Sequence, residues 1–215
     1  MTREEIFIQT KFTHVNGQDH QLPYNVADPI FEQVKQSFSS SLNHLRLTFI
    51  DSFILHGPLT TINFCEHDWE AWHAMESIFN EGKIHALGIS NVNLKQLKTL
   101  YRGALVKPTF VQNRCYASTH WDRDVRLFCK ANKISYQGFS LLTGNTKFIL
   151  AEKVKKIAQR YGRSIPQIVF RMAVDIGIVP ITGTTNTQHM ALDLKIYDFQ
   201  LEPAEIILLE SLATI

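Results

Sequence analysis

Short apolar runs alternate with amphipathic stretches along the whole chain, and this order leaves few folds open. The runs cover residues 6–9, 49–55, 84–89, 109–112, 134–137 and 178–181. Each is short and apolar enough to be buried on both faces, as strands of a parallel sheet are. Between them, residues 31–45 place Val34, Phe38, Leu42 and Leu45 at helical spacing, and residues 69–79 do the same with Trp69, Trp72, Met75 and Phe79. Further helices are predicted over 94–101, 121–131, 154–161, 166–174, 187–194 and 203–212, with Pro166 and Pro203 in first turns after Ser164 and Glu202. Strand, helix, strand in this repetition is the pattern of βαβ units.

Six such units account for the 215 residues, whereas a closed (β/α) barrel needs eight, typically in about 250 residues. The predicted fold is therefore α/β: an incomplete TIM-type barrel of six strand-helix units, one domain over residues 1–215, with the two absent units on the N-terminal side. An open six-stranded sheet is the alternative. A hydrophobic fraction of 45% and a charged fraction of 20% suffice for a full core. A net charge of +2, with its 22 basic residues dispersed, gives no footprint for nucleic acid. Cys65, Cys115 and Cys129 are odd in number and lack metal-ligand spacing; with no apolar leader, the chain reads as cytoplasmic with free thiols and no metal. No run approaches the roughly 20 apolar residues of a membrane helix. The one long irregular stretch, residues 13–29, is of a length usually tied to function or mobility.

In barrels of this class chemistry collects where strands end. Those points here carry Thr10-Lys11, His56-Gly57-Pro58, Ser90-Asn91, Gln112-Asn113, Gly138-Phe139-Ser140 and Thr182-Gly183-Thr184-Thr185. Taken singly, a lysine after a strand is a solvated side chain and a histidine before Gly-Pro a turn residue. Taken together, a lysine and a histidine suit proton chemistry or carbonyl polarisation. Ser, Asn and Gln can hold a planar amide, and Phe139 offers a flat face to an aromatic ring. The hydroxyl-rich segment 182–189 runs into a predicted helix whose first amides either take phosphate or are capped locally. The set suggests a cleft for a nicotinamide nucleotide.

Several segments resemble the aldo-keto reductase family. Residues 3–11, ending in Thr10-Lys11, are similar to its active-site lysine strand, and Asp51 to His56 to its Asp-x-x-x-x-His segment. Leu87-Gly88-Ile89-Ser90-Asn91 matches its Gly-x-Ser-Asn motif; Val111-Gln112-Asn113, Gly138 to Leu142, and residues 179–193 match its cofactor strands, loop and helix. The resemblance implies Lys11 and His56 as members of the catalytic set, with His56 orienting the carbonyl and Lys11 tuning the acid. It implies Ser90, Asn91 and Gln112 as holders of the nicotinamide carboxamide and Phe139 as the stacking aromatic. Ser140, Leu142, Gly183, Thr184 and His189 fall where the family grips the pyrophosphate and adenosine end.

The activity implied by the resemblance is reduction of a ketone or aldehyde with NADP(H) or NAD(H). Gly183 and His189 stand where the family's basic residues meet a 2′-phosphate, so the choice between the two is open. The family's catalytic tyrosine and its aspartate precede the lysine strand, on segments not present here; Tyr24, His14 and His20 are the substitutes within the long loop. Tyr24, Phe64 and Trp69 suggest a bulky apolar substrate. The alternatives are a non-redox isomerase or cyclase using Lys11 and His56, and an inactive relative that keeps the fold. Exposed sheet edges predict self-association or a covering segment.

Overall fold

A computed structural model describes residues 2–19 and 21–213. It contains six parallel strands in one sheet, ordered β1 to β6 as in the chain, alternating with helices. The fold is α/β. Packing divides the chain into two compact units, Met1–Val111 and Gln112–Ile215.

The first unit holds β1 (Gln9–Phe12), α1 (Ile30–Leu45), β2 (Ile50–Leu55), α2 (Glu66–Asn80), β3 (Ile84–Ser90), α3 (Leu94–Gly103) and the start of β4 (Phe110–Arg114). The first strand begins later than the apolar run 6–9 predicts. The Ile8 amide is taken by the Asp51 carboxylate at 2.7 Å, and residues 3–5 are wound into a 3-10 turn, so the ladder starts at Gln9. Lys11 consequently sits inside the strand.

Register does the positioning. Lys11 pairs with Ile54 and Ile54 with Gly88; one step on, Phe12 pairs with Leu55 and Leu55 with Ile89. Side chains alternate along a strand, so the positions of Lys11, Ile54 and Gly88 share one face, and two residues on, so do those of His56, just past β2, and Ser90, the last of β3. The layer beneath is sealed by Ile54, whose Cδ1 occupies the space over Gly88: a Cβ there would lie 2.2 Å from it and 2.8 Å from the Phe110 carbonyl oxygen. On the opposite face Phe12 and Leu55 are buried.

A helix cap and a buried carboxylate fix the loops. Asn93 accepts from the Gln96 amide at 2.9 Å while Gln96 returns a bond to the Asn93 amide at 3.1 Å, a reciprocal cap. Buried Glu76 accepts from the Leu105 and Val106 amides at 2.7 and 2.9 Å and from the Trp72 indole at 3.1 Å, tying α2 to the segment after α3.

The second unit continues β4 and adds α4 (Arg123–Ala131), β5 (Ser135–Phe139), α5 (Thr146–Ile149), α6 (Glu152–Tyr161), α7 (Ile165–Asp175), β6 (Ile178–Pro180), α8 (Thr187–Leu194) and α9 (Pro203–Glu210). The prolines do stand in the first turns of α7 and α9. α4 starts two residues after the predicted position 121, because His120, Trp121 and Asp122 all adopt left-handed backbone, at about 1–2 kcal/mol per residue. Burial offsets that cost: the Trp121 ring is fully enclosed, its indole donates to the Leu209 carbonyl at 3.0 Å, and Arg126 donates to the Trp121 carbonyl at 2.7 Å. Cys115 and Cys129 are free and buried, and desolvation pushes both thiols up to about 12, which makes them unreactive. Among the described residues no helix is long and apolar enough to cross a membrane.

Gly88→Ala is expected to lower unfolding stability by about 1–3 kcal/mol in denaturant titration, since the new methyl must displace Ile54 or the Phe110 backbone. Wild-type stability in that variant would show that the layer beneath Lys11 is loosely packed.

Candidate active site

In the first unit the shared face delivers Lys11 and His56 to one place. Lys11 is half-buried, and loss of hydration draws its ammonium pKa below the ordinary lysine value. The His56 imidazole is lowered as well, by burial first and by the positive charge of Lys11 second. Each therefore prefers its less charged form more than it does in water, with Lys11 acting on His56 as a nearby cation.

His56 is held at three points. Its amide donates to the Phe12 carbonyl at 2.8 Å, its carbonyl accepts from Asn91 Nδ2 at 2.9 Å, and its ring Nδ1 lies 2.9 Å from Thr13 Oγ1. Asn91 adopts left-handed backbone at φ 50°, which turns its amide back onto His56 and onto Ser90 Oγ at 3.2 Å. Ser90 itself is buried.

A cavity of about 300 Å³ opens beside the ring, walled by Thr13, His14, Asn16, His56, Leu59 and Asn91 among others. Its loop walls are fastened by one carboxylate. Fully buried Asp68 accepts from the Leu59 amide at 2.9 Å and the Cys65 amide at 2.8 Å, and its Oδ1 lies 3.3 Å from His14 Nε2. Burial alone would raise the Asp68 pKa; the His14 contact and the two amides outweigh it, and the net shift is downward. Gln96 adds a bond to the Thr60 carbonyl at 2.7 Å and Asn93 one to the Thr61 carbonyl at 2.8 Å.

The loop's proposed substitute acids are engaged elsewhere. Tyr24 donates its hydroxyl to the Thr13 carbonyl at 2.7 Å, and burial raises its pKa, so it is a poorer acid than free tyrosine. His14 is turned to Asp68, and His20 lies outside the described residues. Tyr24 and Phe64 are buried in the packing, Phe64 edge-on to Trp69 at 4.9 Å between ring centroids, and neither walls the cavity.

In the second unit Gln112 is buried and donates to Gln137 Oε1 at 2.9 Å. Phe139 ends β5, and the Arg114 guanidinium stands 5.5 Å from its ring centroid. Ser140 follows at φ 58°, turning the chain out of the strand. Leu142, Gly183, Thr184 and His189 wall a second cavity of about 300 Å³ together with apolar Phe170 and Leu192. A Cβ at Gly183 would meet no atom within 4 Å, so the backbone there stands open to a ligand. At the start of α8 the Asn186 side chain already accepts from the Gln188 and His189 amides at 2.9 and 3.2 Å, and Thr184 Oγ1 accepts from the Asn186 amide at 3.1 Å. Of the two sequence readings of this turn, the amides of Gln188 and His189 follow the capped helix. Sequence reasoning missed Thr13, Asp68 and Arg114: none lies in a motif, and only the fold brings Thr13 to the His56 ring.

Known proteins share the family and the fold of this chain. Residues 1–214 match the model of the Aldo/keto reductase family. Methylglyoxal reductase DkgA of Escherichia coli (strain K12) is 28% identical over 207 residues, which are 96% of this chain and 69% of that protein. Glyoxal reductase of Bacillus subtilis (strain 168) is 25% identical over 206 residues, 96% of this chain and 68% of that protein. Among solved structures, MGS-M4, an aldo-keto reductase from a Medee basin deep-sea metagenome library, superposes with a TM-score of 0.83 at 26% identity, covering 100% of this chain and 73% of that one. A Bombyx mori aldo-keto reductase in complex with NADP shares the fold at a TM-score of 0.80 and 24% identity, over 99% of this chain and 69% of that one.

Two outcomes are expected. In an NMR titration of histidines, Lys11→Met raises the His56 pKa, since a neighbouring cation is removed while burial stays; an unmoved pKa would show that the two side chains do not interact. Asp68→Asn lowers stability at neutral pH by about 1–3 kcal/mol. Because the folded Asp68 pKa is depressed, its contribution is present above the ordinary aspartate value and is lost as pH falls through the folded one. Thermal unfolding of wild type should therefore lose stability on acidification to that range, and the asparagine variant should lack this component.

Proposed function

Because the chain belongs to the aldo/keto reductase family, we propose that it reduces a small carbonyl compound with a nicotinamide nucleotide, NADP(H) or NAD(H). The observation that carries this reading is the pairing of desolvated Lys11 with a neutral, three-point-anchored His56 beside a cavity. A carbonyl oxygen needs donors aimed at the charge it gains, in a site poor in water. His56 Nε2 serves as the orienting donor. Lys11 supplies the positive field and, with its pKa lowered by burial, is the group we assign to release a proton toward that oxygen.

The residues fit the cofactor. Gly183 leaves its backbone open, Thr184 and His189 stand at the same cavity, and Ser140 and Leu142 flank the turn after Phe139. When bound, the nucleotide supplies the hydride for the carbonyl carbon. Ser90, Asn91 and Gln112 are assigned to its carboxamide, Phe139 to its ring, and Ser140, Leu142, Gly183, Thr184 and His189 to the pyrophosphate and adenosine end. A single imidazole at position 189 binds a 2′-phosphate less firmly than an arginine fork, so NADPH and NADH are expected to bind with similar strength.

The cavity beside His56 is about 300 Å³, and its walls mix Thr13, His14, Asn16 and Asn91 with apolar Pro58 and Leu59, a size that suits a small carbonyl compound. Two relatives carry the names methylglyoxal reductase and glyoxal reductase, and 2-oxoaldehydes of that size are the substrates we infer here.

Purified chain mixed with NADPH or NADH and methylglyoxal, glyoxal or a bulky aromatic aldehyde is expected to oxidise the nucleotide fastest with the small dicarbonyls. Lys11→Met should lower kcat by about 10²- to 10⁴-fold, the usual share of one acid-base group. Absence of calorimetric cofactor binding at millimolar concentration would sink the reductase reading. Turnover of a carbonyl compound without cofactor would move the assignment to an isomerase or cyclase using the same lysine and histidine.

A further inference from the structure

A neutral imidazole carries one proton on either of two nitrogens, and only the form with that proton on the nitrogen facing a ligand can donate to a carbonyl oxygen. The structure assigns that choice in His56 to Thr13: we propose that Thr13 is a positioning residue whose hydroxyl donates to Nδ1 and so keeps the ring proton on Nε2. The proposal rests on the carbonyl-reductase reading for its purpose, though not for its geometry.

Three observations carry it. Thr13 Oγ1 and His56 Nδ1 are 2.9 Å apart, and either could be the donor. No other partner of the Thr13 hydroxyl is found among the described residues, so Nδ1 is the protein acceptor for its one hydrogen; the reverse arrangement would leave that hydrogen without one. Nε2, for its part, has no protein hydrogen bond among the described residues, and it is not sealed from solvent as both nitrogens of His14 are. It is the ring nitrogen left for a ligand in the cavity that His56 and Thr13 both wall.

Thr13 is itself immobilised, as a residue with this task must be. Its carbonyl accepts from the Tyr24 hydroxyl at 2.7 Å and from Gln18 Nε2 at 3.4 Å. Its methyl packs against Gly17, where a Cβ would come within 2.9 Å of Thr13 Cγ2. The bulk of the long loop after β1 thus has a use: Tyr24 and Gly17 hold Thr13, and Thr13 holds the ring. The bonds from the His56 amide to the Phe12 carbonyl and from Asn91 Nδ2 to the His56 carbonyl fix the imidazole's base but leave the proton's location undetermined, which isolates the hydroxyl as the deciding group.

The test reads the tautomer directly, by proton–nitrogen correlation spectra of the full chain labelled at histidine nitrogens, at a pH where the ring is neutral, with the His56 signal assigned from a His56→Gln spectrum. Wild type is expected to show the Nε2–H form, Thr13→Val to shift the ratio of forms by about tenfold, the scale of one neutral hydrogen bond, and Thr13→Ser to restore it. In parallel, kcat for carbonyl reduction should fall about tenfold in the valine variant with little change in KM, since donation strengthens as charge develops on oxygen. A wild-type ring protonated on Nδ1, or a ratio indifferent to valine, would overturn the proposal. If valine prevents folding, Thr13→Ala makes the same comparison, and the wild-type spectrum alone can still overturn it. An inactive wild type with a Thr13-dependent tautomer would sink the reductase reading and leave this one standing; an active enzyme with an indifferent tautomer would do the reverse.

Discussion

A lysine ammonium taken partly out of water beside a histidine is the constraint around which the first unit is arranged. Burying a charge costs several kcal/mol unless something compensates. Parallel register determines where that cost is borne: Lys11 pairs with Ile54, which fills the space over Gly88, so apolar packing lies beneath the charge. A one-residue slip in β1 would send Lys11 to the face where Phe12 is buried and leave His56 without its neighbouring cation.

Such a site needs walls that do not relax around the charge, and the loops after β1 and β2 are correspondingly short of freedom. Asp68 collects two amides and His14, Gln96 and Asn93 grip the carbonyls of Thr60 and Thr61, and Tyr24 caps Thr13. These bonds run mostly from side chain to backbone. Apart from His14, they hold loop shape without engaging the side chains of the cavity wall, which leaves those side chains free to set substrate choice while the scaffold stays constant.

The strand and helix order was legible because its signal is periodic and repeated: α8 falls on residues 187–194 as the pattern has it, and β2 and β3 lie within a residue of their runs. Boundaries failed where a side chain intercepts a backbone group, as Asp51 does at Ile8, or where buried packing forces a left-handed turn, as Trp121 does before α4. The candidate site was legible in part. His56, Ser90 and Asn91 lie at strand ends and Lys11 one residue short of one, a place that sequence period can locate. Thr13 and Asp68 act through contacts 43 and 54 residues apart in number, and no local pattern encodes such a meeting. The aromatics Tyr24 and Phe64 misled for a related reason: hydrophobicity says that a side chain is buried, but not whether it is buried in a cavity wall or in the packing behind it.

The two depressed pKa values also constrain each other. For the proposed chemistry Lys11 must carry its proton and His56 must lack a second one. Burial lowers both, which widens the neutral range of His56 on its acid side and narrows the protonated range of Lys11 on its alkaline side. The Coulomb coupling widens the first further without a matching benefit to the second, since a neutral imidazole exerts little pull on the ammonium. Desolvation therefore has an optimum depth. Deeper burial of β1's end would discharge Lys11 within the working range, and shallower burial would let His56 take a second proton and lose the tautomeric choice that Thr13 makes. Half-burial of Lys11 lies between those limits.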